Sequence, residues 1–73
     1  MSVTDRARLR KALKALRAQR VVLKERLVRI NQNLCFAPIG SRPRAELLAA
    51  RDSIRQALRL NAVAVRKIKR VLC

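Results

Sequence analysis

Apolar residues recur at alternating spacings of four and three along most of the chain, and one segment interrupts the pattern. In the first half the spacing selects Leu9, Leu13, Leu16, Leu23, Leu27, Ile30 and Leu34. In the second half it selects Leu47, Ile54, Leu58, Val65, Ile68 and Leu72. Such spacing is typical of helices that pack along a seam with left-handed, coiled-coil-like geometry.

The interruption is the segment 36–43, which contains both prolines and the single glycine. Ser2 suits the N-cap of a first helix, and Pro43 suits the first turn of a second, with Ser41 or Arg42 as its cap. The sequence therefore predicts an all-α fold, an antiparallel two-helix hairpin that forms a single domain over 1–73. The predicted boundaries are helix 1 at about 3–35, a loop at 36–42 and helix 2 at about 43–72.

Three polar residues occupy seam positions: Arg20, Arg51 and Asn61. Folding the chain back on itself about the loop places Arg20 opposite Asn61, near the middle of the hairpin. We interpret this pair as a structural polar layer that defines the register of the helices at some loss of stability. The alternative is that the two residues belong to a ligand site. Arg51 lies opposite Ile30, and its charged end is expected to extend to water.

A second set of apolar residues lies beside the seam and would be exposed to solvent in a monomeric hairpin. Small chains often resolve a shortage of core by oligomerising, so we predict a dimer that forms a four-helix bundle. Two faces are candidates for the interface. One is the small-residue row Ala50, Ala57 and Ala64, and the other is the helix 1 flank Val21, Val22 and Val28.

The residues around the loop are expected to be packed. Phe36 and Ile39 are predicted to plug the loop end of the bundle, and Cys35 is predicted to be a small buried apolar residue. Cys73, at the opposite end, is too far from Cys35 for a disulfide within one hairpin and is predicted to be free.

The residue inventory argues against catalysis. The chain has no His, and its four acids are scattered. Each acid has an arginine three or four residues away, so all four are expected to form pairs within a helix: Asp5 with Arg8, Glu25 with Arg29, Glu46 with Arg42, and Asp52 with Arg55. No Gly-rich phosphate loop, nucleophile elbow or metal-ligand spacing is present. We therefore expect no enzymatic activity, no metal and no cofactor.

Charge is the strongest indication of function. Nineteen Lys and Arg stand against four acids, for a net charge of +15, while 51% of residues are apolar. Self-repulsion of this size is tolerated mainly where an acidic partner is bound. The start of helix 1 and the end of helix 2 form what we call the open end of the hairpin. It collects the predicted polyanion-binding residues Arg6, Arg8, Arg10, Lys11, Lys14, Arg17, Arg66, Lys67, Lys69 and Arg70.

Two functions compete on these grounds. The first is nucleic-acid binding (DNA or RNA) through the phosphate backbone with little base readout, since a single aromatic residue, Phe36, excludes base-stacking platforms. The second is a small phage- or mobile-element-like regulator or inhibitor that docks on an acidic surface of a host enzyme or polymerase. Attachment to an anionic membrane is a weaker alternative, because the apolar faces are needed in the seam and no Trp or Tyr is present. The expected compartment is the cytoplasm.

Overall fold

The computed structural model describes residues 2–73, which form two helices and one loop. Helix α1 spans Val3–Leu34 and helix α2 spans Arg42–Leu72. They pack against each other as an antiparallel hairpin with extents of 55 × 15 × 15 Å. The observed helix ends lie within one residue of those predicted from the heptad-like spacing and the Pro/Gly segment.

Serine side chains cap both helices at their N-termini. Ser2 Oγ accepts a hydrogen bond from the Asp5 backbone N–H at 3.1 Å, and Ser41 Oγ accepts one from the Arg44 N–H at 3.3 Å. The Ser41 hydroxyl also donates to the Pro38 carbonyl at 2.7 Å, which ties the loop to the start of α2. These bonds satisfy backbone donors that a helix N-terminus leaves without a partner. Of the two predicted caps for α2, Ser41 is the one that forms.

The loop turns at Gly40, whose φ is +81°. An L side chain rarely adopts this backbone conformation, so a glycine is the residue that closes the turn without strain. No other atoms crowd the position, and the glycine is therefore required for its backbone angle alone.

The seam lies where the spacing predicted it. Every apolar seam residue of both helices is buried or half-buried, and Leu23 and Leu34 are the most enclosed. The core is nevertheless thin, because two helices shield each other along one line only. The accessible surface is 5912 Å², compared with about 4,600 Å² expected for a folded monomer of 8.3 kDa.

Three predictions for the loop end are wrong for the hairpin. Phe36 and Ile39 are 85% and 92% exposed, and Cys35 is exposed as well. The end of the seam is already covered by Leu34 and by the guanidinium of Arg44, and Ile39 only borders an open depression of about 270 Å³ that it shares with Arg44 and Leu48. The Cys35 thiol instead donates to the Asn31 carbonyl of its own helix at 3.4 Å.

Of the four predicted intrahelical ion pairs, residues 2–73 contain one. The Arg42 guanidinium lies 3.3 Å from a Glu46 carboxylate oxygen on the surface of α2. Arg51 is half-buried in the seam, and its Nε is shielded from water without a hydrogen-bond partner. Neither helix contains a stretch that is both long and apolar enough to span a bilayer.

Candidate functional site

The open end of the hairpin presents all ten predicted polyanion-binding cations on its surface. Each of these side chains is exposed, from Arg6 to Arg17 on α1 and from Arg66 to Arg70 on α2. The antiparallel packing brings together cations that are about fifty residues apart in the chain. Arg17 of α1 and Arg66 and Lys69 of α2 line one cleft.

This cleft has a volume of about 310 Å³ and is the feature that concentrates the charge. We call it the interhelical cleft. Its cationic lining includes Arg20, which the sequence assigned to the seam and which the structure leaves exposed. The full lining is Arg17, Arg20, Asn61, Ala62, Val65, Arg66 and Lys69, four cations with no acid among them. Nothing in this lining neutralises the four charges.

Asn61 forms the floor of the interhelical cleft and is only 3% exposed. Its Nδ2 donates to the Leu16 carbonyl at 2.8 Å and to Gln19 Oε1 at 3.1 Å, so the side-chain amide links the two helices. The predicted partner, Arg20, makes neither of these bonds. The polar layer therefore uses Gln19 where the sequence suggested Arg20, and Arg20 lies at the cleft instead.

Gln19 was not among the candidate residues, although it directly precedes the predicted partner. In a helix a residue adjacent to the seam lies on its rim, and a long amide side chain can bend inward from there. Heptad spacing indicates how close the backbone of a residue lies to the seam, but it takes no account of the length of the side chain. This is why Gln19 was missed.

Two other basic depressions lie on α2 alone. One, of about 120 Å³, is lined by Val63, Arg66, Lys67 and Arg70. The other, of about 320 Å³, is lined by Asp52, Arg55, Gln56 and Arg59 and so includes an acid. The interhelical cleft differs from both because its cations come from two helices.

The opposite side of the hairpin is lined by small residues. A shallow depression of about 490 Å³ lies over Ala12, Ala15, Leu16 and Gln19 of α1. On α2, Ala57 and Ala64 directly precede seam residues, whereas the cleft residues Ala62 and Lys69 directly follow them. One step along a helix is about 100° of rotation, so these two pairs occupy opposite sides of the seam.

The remaining candidates for the dimer face divide between the two sides. Ala50 continues the row of Ala57 and Ala64, and Val22 follows Ala15 by seven residues on the same side. Val21 and Val28 extend the row of Arg17, on the side of the cleft. All three valines and Ala50 are exposed, while Ala57 and Ala64 are half-buried. We call the side with Ala15, Val22, Ala50, Ala57 and Ala64 the small-residue side.

Comparison with known proteins gives no family. No family model matches the chain, and no curated protein or solved structure is significantly similar to it.

Proposed function

We propose that this protein binds nucleic acid through the phosphate backbone, with little readout of the bases. The observation that carries the proposal is the interhelical cleft, where four cations from two helices converge without an acid. Mutual repulsion makes this arrangement unfavourable for the folded hairpin, and of the four cations only Lys69, in the last turn of α2, is stabilised by a helix dipole. A polyanion would remove that repulsion. Arginine outnumbers lysine among the cations, which suits bidentate contacts to phosphate and equally to the carboxylates of an acidic protein surface.

The shape of the hairpin also favours backbone contacts. The paired helices are 15 Å across, which is wider than the major groove of B-DNA at about 12 Å. The two helices therefore cannot enter that groove side by side. A rod 55 Å long would lie against about 16 base pairs of duplex. We also propose that the protein acts in the cytoplasm.

Salt dependence tests the proposal directly. We expect the parent protein to bind unrelated DNA and RNA duplexes of about 20 base pairs with similar affinity. The logarithm of the binding constant should fall against the logarithm of salt with a slope between about −4 and −9, as four to ten cations neutralise phosphates. Fluorescence anisotropy from about 50 to 200 mM salt measures this slope. Binding that is absent, or independent of salt, overturns the proposal.

The alternative, a regulator that docks on an acidic protein surface, is favoured by one observation. Exposed Val63 lies among Arg66, Lys67 and Arg70 on α2, and protein interfaces commonly combine an apolar centre with a charged rim. Affinity purification with and without nuclease separates the two functions. A partner lost on nuclease treatment supports nucleic-acid binding, whereas a stoichiometric acidic protein that remains bound supports the alternative.

We also propose that the protein dimerises through the small-residue side to form a four-helix bundle. The hairpin exposes about 1,300 Å² more surface than a compact monomer of its mass, and a stable interface covers about 800 Å² per partner. Small side chains allow the helices of two copies to approach closely. This arrangement leaves both interhelical clefts facing outward.

Sedimentation velocity at micromolar concentration tests the dimer and its face. The parent should sediment as a dimer, and Ala57→Lys with Ala64→Lys should sediment as a monomer, because the new charges would be buried in the interface. The matched control is Val21→Lys with Val28→Lys on the other side, which should remain dimeric. If the control dissociates and the alanine variant does not, the valine flank is the interface. A monomeric parent contradicts dimerisation altogether.

A further inference from the structure

The interhelical cleft has a second feature besides its charge, a buried acceptor at its floor. Both N–H groups of the Asn61 amide are occupied by acceptors on α1, which leaves Oδ1 as the unused atom. This oxygen is shielded from water and has no hydrogen-bond partner. The amide cannot be turned over, since Oδ1 would then face the carbonyl of Leu16 and Oε1 of Gln19, which are acceptors themselves.

A buried acceptor without a donor is unfavourable and requires an explanation. The cations that line the same cleft, Arg17, Arg20, Arg66 and Lys69, are exposed and offer uncommitted donors. Arg20 is the strongest candidate among them, because its place in the heptad-like spacing sets it opposite Asn61 and its exposed side chain is not held elsewhere. Its guanidinium carries five N–H donors, enough to serve two acceptors at once.

We infer that the interhelical cleft is a discrete phosphate-binding site, in which Arg20 turns inward and donates both to Asn61 Oδ1 and to the bound phosphate. Arg17, Arg66 and Lys69 complete the neutralisation from the other sides. Asn61 acts as a positioning residue, since it directs a guanidinium and does not itself contact the phosphate. The volume of about 310 Å³ equals that of about ten water molecules, which accommodates a phosphate or pyrophosphate group.

Two sources could supply this phosphate chemistry: the backbone of a nucleic acid, or a free di- or polyphosphate. The nucleic-acid source rests on the function proposed above, but the chemistry of the cleft does not. A small probe therefore separates the two claims. We choose inorganic pyrophosphate, which offers two linked phosphate groups and no bases or sugars.

Titration calorimetry of the full chain with pyrophosphate tests the site. We expect one pyrophosphate per hairpin, and a loss of affinity of about tenfold for Arg20→Gln and for Lys69→Gln, because each change removes a charged hydrogen bond. The matched control is Arg55→Gln with Arg59→Gln, which removes more charge from the neighbouring depression of α2 that includes Asp52. This control should lose less than threefold. Circular dichroism should show the same helicity in every variant, since all these side chains are exposed.

Asn61→Leu tests the positioning role. Leucine suits the seam, so the variant should fold, yet its affinity for pyrophosphate should fall about threefold to tenfold because Arg20 loses its inner acceptor. The double variant of Asn61→Leu with Arg20→Gln should lose no more affinity than Arg20→Gln alone, since the two residues act through one guanidinium. A purely structural Asn61 would change the stability of the hairpin and leave pyrophosphate affinity as in the parent.

The outcomes distinguish this site from the proposed function. Pyrophosphate that fails to bind, or that binds the Arg20 and Asn61 variants as well as the parent, overturns the site even if duplexes still bind. Pyrophosphate that binds as expected while duplexes do not establishes the site with a free polyphosphate as its source and contradicts nucleic-acid binding. Pyrophosphate that binds and also displaces a duplex identifies the backbone as the source.

Discussion

The loop end and the open end of the hairpin use arginine in opposite ways. At the loop end, one Arg44 nitrogen donates to the Leu34 carbonyl at 3.1 Å and to the Ala37 carbonyl at 3.2 Å, and Arg42 pairs with Glu46. Arg44 ties the start of α2 to the end of α1 and to the loop, while Arg42 is paired within α2. At the open end, Arg17 and Arg66 are exposed and lie outside the terminal turns of their helices, so the helix dipoles do not account for their charge. The same residue type therefore stabilises the chain at one end and is available for a partner at the other.

Removing charge from different parts of the hairpin tests whether the open end is the part that binds. Replacing Arg10, Lys14 and Arg17 with Gln should lower the affinity for duplex by about 100-fold near 0.15 M salt. The loss of up to three phosphate contacts should also make the slope of affinity against salt shallower by up to about 2.7. Losses should be similar on unrelated sequences. The control, Arg26, Arg29 and Arg42 to Gln, removes equal charge and should lose less than about tenfold. Equal losses would mean that net charge, and not the open end, determines binding.

The loop end should respond in stability and not in binding. Arg44→Gln removes a charged donor from the Leu34 carbonyl at the end of α1 and from the Ala37 carbonyl in the loop, so the free energy of unfolding should fall by about 1–2 kcal/mol. Urea denaturation measures this change, and duplex affinity should stay within about threefold of the parent, the effect of one distant charge. Arg42→Gln is the control, since its exposed pair with Glu46 contributes about 0.2–0.5 kcal/mol. An Arg44→Gln variant that is as stable as the parent but binds duplex more weakly would show that the loop end contributes to binding and not to stability.

The polar layer between the two ends can be examined with double-mutant cycles. In the absence of any anion, Gln19→Leu and Asn61→Leu should show an interaction term of about 0.5–1.5 kcal/mol in the free energy of unfolding, because their side chains are hydrogen-bonded. The cycle of Arg20→Leu with Asn61→Leu should be close to additive under the same conditions. A large Arg20 term without an anion would show that Arg20 turns inward in the free protein.

The smallest expected effects come from the helix dipoles at the open end. Arg6→Gln removes a cation from the first turn of α1 and should raise the free energy of unfolding by about 0.3–1 kcal/mol. Arg70→Gln removes a cation from the last turn of α2 and should lower it by a similar amount. Thermal denaturation of both variants gives the two signs. Destabilisation by Arg6→Gln would indicate a structural role for this arginine that the dipole does not explain.

The amino-acid sequence by itself determined the helices, their ends and the seam. These features follow from local chemistry: serine caps, a glycine and prolines at the turn, and apolar spacing that can be buried on one face only. The same spacing placed Asn61 in the seam, level with the middle of α1. The surplus of cations at the open end also follows from the sequence, once the chain is folded in half.

The tertiary structure alone decided which side chains meet. Spacing set Arg20 opposite Asn61, but the length of Gln19 let it bend inward and take the hydrogen bond, and Arg20 came to line the interhelical cleft with Arg66 and Lys69. Hydrophobicity suggested that Phe36 would be buried, yet it is 85% exposed, because Arg44 and Leu34 already cover the end of the seam and the two helices offer no third element to pack against it. Sequence spacing records distance along and around a helix, whereas these outcomes depend on the reach of side chains between helices and on the volume left to fill.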